Sequence, residues 1–160
     1  MDVIITPEEV GALSRPISQH VDRSLLQAYI DEVVQLNIRP TMGALFALLP
    51  EHRVMLVGGV DKDGCEVVGG VKKAAAYFVY AKVIKQGATI ATRFGAVEKT
   101  DEYSVRIEQE RKDAIARECT ATADAYMQEV LTYARAKGLI GCCGGVEVPQ
   151  RRRTTYVVGE

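Results

Sequence analysis

Residues 101–138 read DEYSVRIEQERKDAIARECTATADAYMQEVLTYARAKG. From Asp101 to Lys137 nothing breaks a helix, and Gly138 is a natural C-terminal stop. At ~1.5 Å per residue such a helix is about 55 Å long, more than a compact domain of this size needs. Its two halves differ. Ile115, Cys119, Ala123, Tyr126 with Met127, Val130 and Ala134 recur at three- and four-residue spacing and make one apolar stripe. Arg106 to Asp113 is nearly all charged, so that half is solvated or meets another subunit.

The segments upstream extend the helical pattern. Thr6-Pro7-Glu8-Glu9 is a strong start: Thr6 caps, Pro7 takes a first-turn position that needs no N–H, and Glu9 completes a capping box. That helix ends near Ser14, before Pro16. A second helix is expected from about Asp22 to Leu36, burying Leu25, Leu26, Tyr29, Ile30, Val33 and Val34. Pro40 is expected to reset the chain, and Met42 to Leu49 to form a short apolar helix closed by Pro50. A third long helix runs from Val71 to about Gln86. Within it Ala74, Ala75, Ala76 and Ala81 around Tyr77, Phe78 and Tyr80 predict close helix packing in preference to an aromatic stacking platform.

Three segments break the pattern. Arg53–Val57 and Cys65–Val68 flank Gly58-Gly59 and Asp61-Lys62-Asp63-Gly64, which predicts a hairpin over 53–70 with a solvated acidic tip. Thr89 to Lys99 also looks extended. After Gly138 the glycine-rich hinge Gly141–Gly145 leads to the basic triplet Arg151-Arg152-Arg153 and the β-prone run Thr154–Val158. That run has no partner strand nearby in sequence, so it is either an unstructured tail or an arm that adds a strand to something else. The fold class is therefore mainly α: a helical bundle with one long C-terminal helix and a β-prone hairpin insertion, residues 1–138, followed by an extended arm, residues 139–160.

Composition excludes several functions. Twenty Lys+Arg against 21 Asp+Glu leave a net charge of −1, unlike a general electrostatic nucleic-acid binder. No apolar run approaches the ~20 residues a membrane helix needs, and Met1-Asp2-Val3 lacks a basic signal region. Cys65, Cys119, Cys142 and Cys143 are too scattered, or too close, for a disulfide framework, which fits synthesis in a reducing cytoplasm. Neither His20 nor His52 stands at a ligand spacing beside Cys142-Cys143, and no base is named for a cysteine nucleophile. Gly58-Gly59 and Gly69-Gly70 lack the ending of a phosphate loop and read as turn or close-packing glycines. Asp61, Asp63 and Glu66 lack the remaining ligands of a calcium loop. No catalytic, cofactor or metal residue is expected.

Two stretches carry a resemblance. One is Ile5–Val10, Asp22, Leu25–Ile38 and Arg39-Pro40-Thr41-Met42-Gly43; the other is Gly70–Lys82, Thr92–Lys99 and the helix ending near Tyr133. Over roughly residues 4–137 the chain resembles the small head–tail connector (adaptor) proteins of tailed bacteriophages, in the form carried by crAss-like phages. The resemblance implies a helical virion protein, localised at the head–tail interface after synthesis in the host cytoplasm. It also implies assembly as a cyclic ring (a dodecamer in the better-known members) and contact with the portal and the next tail-side protein. Residues 139–160 depart from the family pattern.

A ring subunit needs two different complementary faces. Arg106, Glu108, Glu110, Arg111 and Lys112 mix both signs, which suits lateral, register-setting contacts, although each alone also fits a solvated helix face. Arg151, Arg152, Arg153, Tyr156 and Val157 are the arm's partner-binding candidates, the arginines toward acidic groups or toward DNA in a channel. The alternatives are a tail-completion or tail-tube-associated ring protein, normally strand-rich, and a nucleic-acid-binding accessory protein.

Overall fold

The computed structural model describes residues 4–17, 21–86, 89–92, 95–98 and 109–140. Its helices are α1 (Pro7–Leu13), α2 (Arg23–Val33), α3 (Arg39–Met42), α4 (Arg53–Val57), α5 (Gly70–Gln86) and α6 (Gln109–Ala136). Strands β1 (Gly59–Val60) and β2 (Glu66–Val67) pair antiparallel, as do β3 (Thr89–Thr92) and β4 (Gly95–Glu98). The fold is mainly helical, and α6 is its long C-terminal helix, about 42 Å over its 28 residues.

α5 is the centre. Its side chains are apolar nearly all round, as a helix covered on several sides requires: Val71, Ala74, Ala75, Ala76, Phe78, Val79 and Ala81 are all buried. α6 packs along one flank of α5, and α1, α2 and α4 lie against the rest. The α5–α6 seam is built of small side chains. Tyr77 lies against Tyr126, and Ala81 meets Ala116 and Cys119 in a second cluster further along, while Ala74, Ala75 and Ala76 are buried in the main core. The stripe expected on α6 is thus the buried one, with Ile115 and Tyr126 half-buried at its margins.

Local chemistry sets the ends. Thr6 Oγ1 accepts from the Glu9 N–H at 3.4 Å while Glu9 Oε2 accepts from the Thr6 N–H at 3.0 Å, the expected capping box. Asp22 caps α2 by accepting from the Ser24 N–H at 2.9 Å. Gly138, at φ 68°, follows the last turn of α6.

The structure corrects three sequence expectations. Pro40 does not reset the chain: a π-helical stretch, Val34–Ile38, carries α2 directly into α3, with Pro40 in the first turn of α3. The wider π turn accommodates the missing N–H, and the break comes later, at Gly43, φ 54°. Arg53–Val57 is a helix, not the first hairpin strand, because a helical turn inserts Met55 into the core with no exposure; tertiary burial overrides the β propensity of Val54 and Val57. The hairpin is therefore shorter and begins at Gly59. Its tip is solvated as expected, with Lys62, Asp63 and Gly64 exposed, and only Asp61 is half-buried against α6. The long helix is described from Gln109; residues 101–108 of its expected span lie outside the described residues.

The paired glycines explain how the hairpin joins α5. Gly70, at φ 65°, opens α5 where a Cβ would stand 2.6 Å from the Gly58 backbone nitrogen and 2.8 Å from the Leu56 carbonyl oxygen. A Cβ on Gly69 would enter the ring of Tyr126, 2.3 Å from Cδ1. These are close-packing glycines, as expected from the sequence, and they let two backbones and a ring share one space.

Candidate functional site

No buried polar cluster marks a reaction centre among the described residues, where every fully buried core side chain is hydrophobic. Among the same residues no group of three or more His, Cys, Asp or Glu side chains is placed to hold a metal ion, and no helix is long and apolar enough to cross a membrane. Cys119 is fully buried, and burial pushes its thiol up from the ordinary cysteine value, away from the reactive thiolate. The features left to consider are surfaces.

The first is the opening of α6. Glu110 and Arg111 are both exposed there, which fits a solvated helix face as well as a contact face. Arg106, Glu108, Arg151, Arg152, Arg153, Tyr156 and Val157 lie outside the described residues, as do His20, Cys142 and Cys143. Two turns further along, Arg15 Nη2 donates to Glu118 Oε1 at 2.6 Å, tying the segment after α1 to α6.

The second surface surrounds the hairpin, and sequence reasoning missed it. Val57, Val60 and Val68 are 45%, 64% and 63% exposed, among the few large hydrophobic side chains left in solvent. Register explains the pattern: Val67, opposite Gly59, faces the core, whereas Val60 and Glu66 pair on the outer face, which Val68 shares by alternation. Beside them an open cleft of about 380 Å³ lies between α1, the hairpin and α5, with Ala12, Leu13, Val57 and Val68 in its walls. Its charged wall is already engaged. Lys72 Nζ donates to Glu9 Oε1 at 2.8 Å, and that bond, with the Thr6 N–H, holds the Glu9 carboxyl below its usual range. Lys73 Nζ stands 5.1 Å from the Tyr126 ring centroid.

A polar clamp holds the hairpin in place. Tyr133 donates its hydroxyl to Asp61 Oδ2 at 2.8 Å, Lys137 Nζ lies 2.6 Å from the same oxygen, and Lys137 also bonds Asp63. Lys137, then Tyr133, then the Lys62 N–H hold the Asp61 carboxyl down at about 2, and the two aspartates push Lys137 up. At the other end of the hairpin the Val68 N–H donates to Glu129 Oε1 at 2.9 Å. The signal for this clamp was present in sequence as unlike charges, Asp61 and Asp63 against the last Lys of the helix. It could be used only once the fold placed positions 61 and 137 side by side.

A third feature is Leu36, 65% exposed on the π-helical stretch beyond α2. α2 and α6 each pack on α5, so Leu36 and the Glu110–Arg111 face are carried by different elements.

No curated protein and no solved structure matches the chain. A family model does match, over residues 46–138, the part that contains the hairpin, α5, the β3–β4 hairpin and α6. It is described as a family of unknown function, DUF6712, and since the match spans more than half of the sequence the chain belongs to that family.

Proposed function

We propose that this chain is a non-enzymatic virion protein, one subunit of the connector ring that joins the portal of a tailed bacteriophage to its tail. The observation that supports this most is a pair of unlike exposed surfaces on different elements: the mixed-charge opening of α6, with Glu110 and Arg111, and Leu36 on the π-helical stretch beyond α2. A ring that closes is built from heterologous contacts, so each subunit must offer two different patches to its two neighbours. Mixed charge sets register and suppresses wrong pairings.

The partners on this reading are copies of the chain on either side, the portal, and the next tail-side connector or tail protein. Contact with DNA in the channel is incidental, in keeping with a net charge of −1. The resemblance over residues 4–137 gives the direction of the reading. The mainly helical fold favours it over a tail-tube ring protein, for which a strand-rich chain is expected; the described strands are two to four residues long.

The test is to mix the chain with the portal of the same genome and image the mixture by electron microscopy. The expected result is rings stacked on the portal, lost on the double reversal Glu110→Lys, Arg111→Glu. A chain that binds no portal at any ionic strength overturns the proposal.

A further inference from the structure

The sequence alone sends the run Thr154–Val158 to another molecule, because no strand stands near it in sequence. The fold supplies a strand within reach. α6 ends beside the hairpin tip, where Lys137 bonds Asp61 and Asp63, and the described chain stops three residues later at Ile140. Residues 141–150 extend at most about 36 Å, enough to return to the hairpin from that point.

The hairpin has one edge to offer. On the β2 side the Val68 N–H is taken by Glu129. On the β1 side, the Asp61 N–H bonds the Cys65 carbonyl at 2.9 Å, so by ladder alternation the N–H and C=O of Val60 turn to the outer edge. Two paired residues per strand make a marginal hairpin that a third strand would complete.

Order along the chain matches order along the surface. The hairpin carries the 75%-exposed Asp63 side chain at its tip, then Glu66 and Val60 opposite each other, and Val68 at its base. The arm is basic first, Arg151–Arg153, and apolar after, Thr154–Val158. An arm entering from the tip meets acid with base and valine with valine. It also runs opposite to β1, so the three strands would be antiparallel throughout.

We infer that residues 151–158 dock in the same chain as a third strand on β1, with the arginines over Asp63 and Glu66 and the β-prone run beside Val60. The main-chain bonds are those of strand addition. Tethering by so short a connection gives an effective concentration in the millimolar range, which favours the chain's own arm over a second molecule's. The inference does not depend on the ring reading, since the contact forms within one free chain.

The test is hydrogen exchange on the full chain at several protein concentrations, alongside full-length Val60→Asp and Glu66→Lys. Both positions are exposed, so neither change threatens the core. Amides of residues 155–158 are expected to exchange at least about ten-fold more slowly than in a free peptide. Both variants should return them to the free-peptide rate, with α5 and α6 unchanged. The inference is overturned if residues 155–158 exchange freely in the unaltered chain, if protection survives both substitutions, or if protection rises with protein concentration, which would name a second copy as the occupant.

Discussion

The α5–α6 seam and the hairpin over residues 58–70 are neighbours held by different means. In the seam, alanines and Cys119 let two helices approach through side chains alone, and the contact is dry. At the hairpin, backbone meets backbone at Gly58 and Gly70, and a charged clamp of Asp61, Asp63, Tyr133 and Lys137 completes the attachment. The first is sensitive to added volume in proportion to the atoms added. The second tolerates no Cβ at the crossing, and its clamp responds to pH.

The largest effect is expected at the crossing. Gly70→Ala combines an unfavourable positive φ with a Cβ 2.6 Å from backbone, together costing about 2–5 kcal/mol. Gly64→Ala, at φ 78° with nothing within 4 Å, carries the conformational cost alone, about 1–2 kcal/mol. Denaturant unfolding of the two variants separates clash from strain, and equal losses would show that the backbones do not meet as described.

Ala76→Leu tests the packing around α5. Ala76 has no exposed surface, and overpacking there is expected to cost about 1–3 kcal/mol. For a chain of this size that lowers the melting temperature by roughly 2–4 °C per kcal/mol. An unchanged melting temperature would mean that this face of α5 is open and the aromatic residues beside it are available for binding. Thr6→Ala, which removes one half of the α1 capping box, is a smaller change of about 0.5–2 kcal/mol, read by the same melt.

The clamp supplies the smallest and most local signature. The Asp61 carboxyl sits at about 2 in the folded chain, below its ordinary value near 3.9. A carboxyl lowered by folding stabilises the fold above its unfolded value and loses that contribution as pH falls toward its folded one. Hairpin docking is therefore expected to be constant above pH about 5 and to weaken between about 4 and 2. The amide resonances of residues 61–64 would report it, and Asp61→Asn should abolish the titration. A midpoint near 4 would mean that Lys137 and Tyr133 do not hold the carboxylate.

Much of the fold was legible because its signals are local. The Thr6–Glu9 box, the Val71–Gln86 helix with its alanines, the extended stretch from Thr89 and the stripe from Cys119 to Ala134 all follow from spacing and capping, and the structure has each of them. The misreadings share one cause, tertiary context. Met55 is drawn into the core by neighbours far along the chain, which turns a β-prone run into a helix. A π turn before Pro40 has no sequence signature strong enough to predict. The exposed valines were invisible because only the β1–β2 register tells which of them face solvent. Of the candidate contact residues, Glu110 and Arg111 are exposed, and the proposed assignment of partners rests on the connector resemblance.

The central claim is that the chain is built into a phage particle as a ring, and the composition of purified virions tests it most directly. The connector account predicts that quantitative mass spectrometry of tailed, DNA-filled particles finds this chain at one ring's worth of copies per portal, retained after the particles are washed in high salt. Virions that are infectious and lack the chain would contradict it.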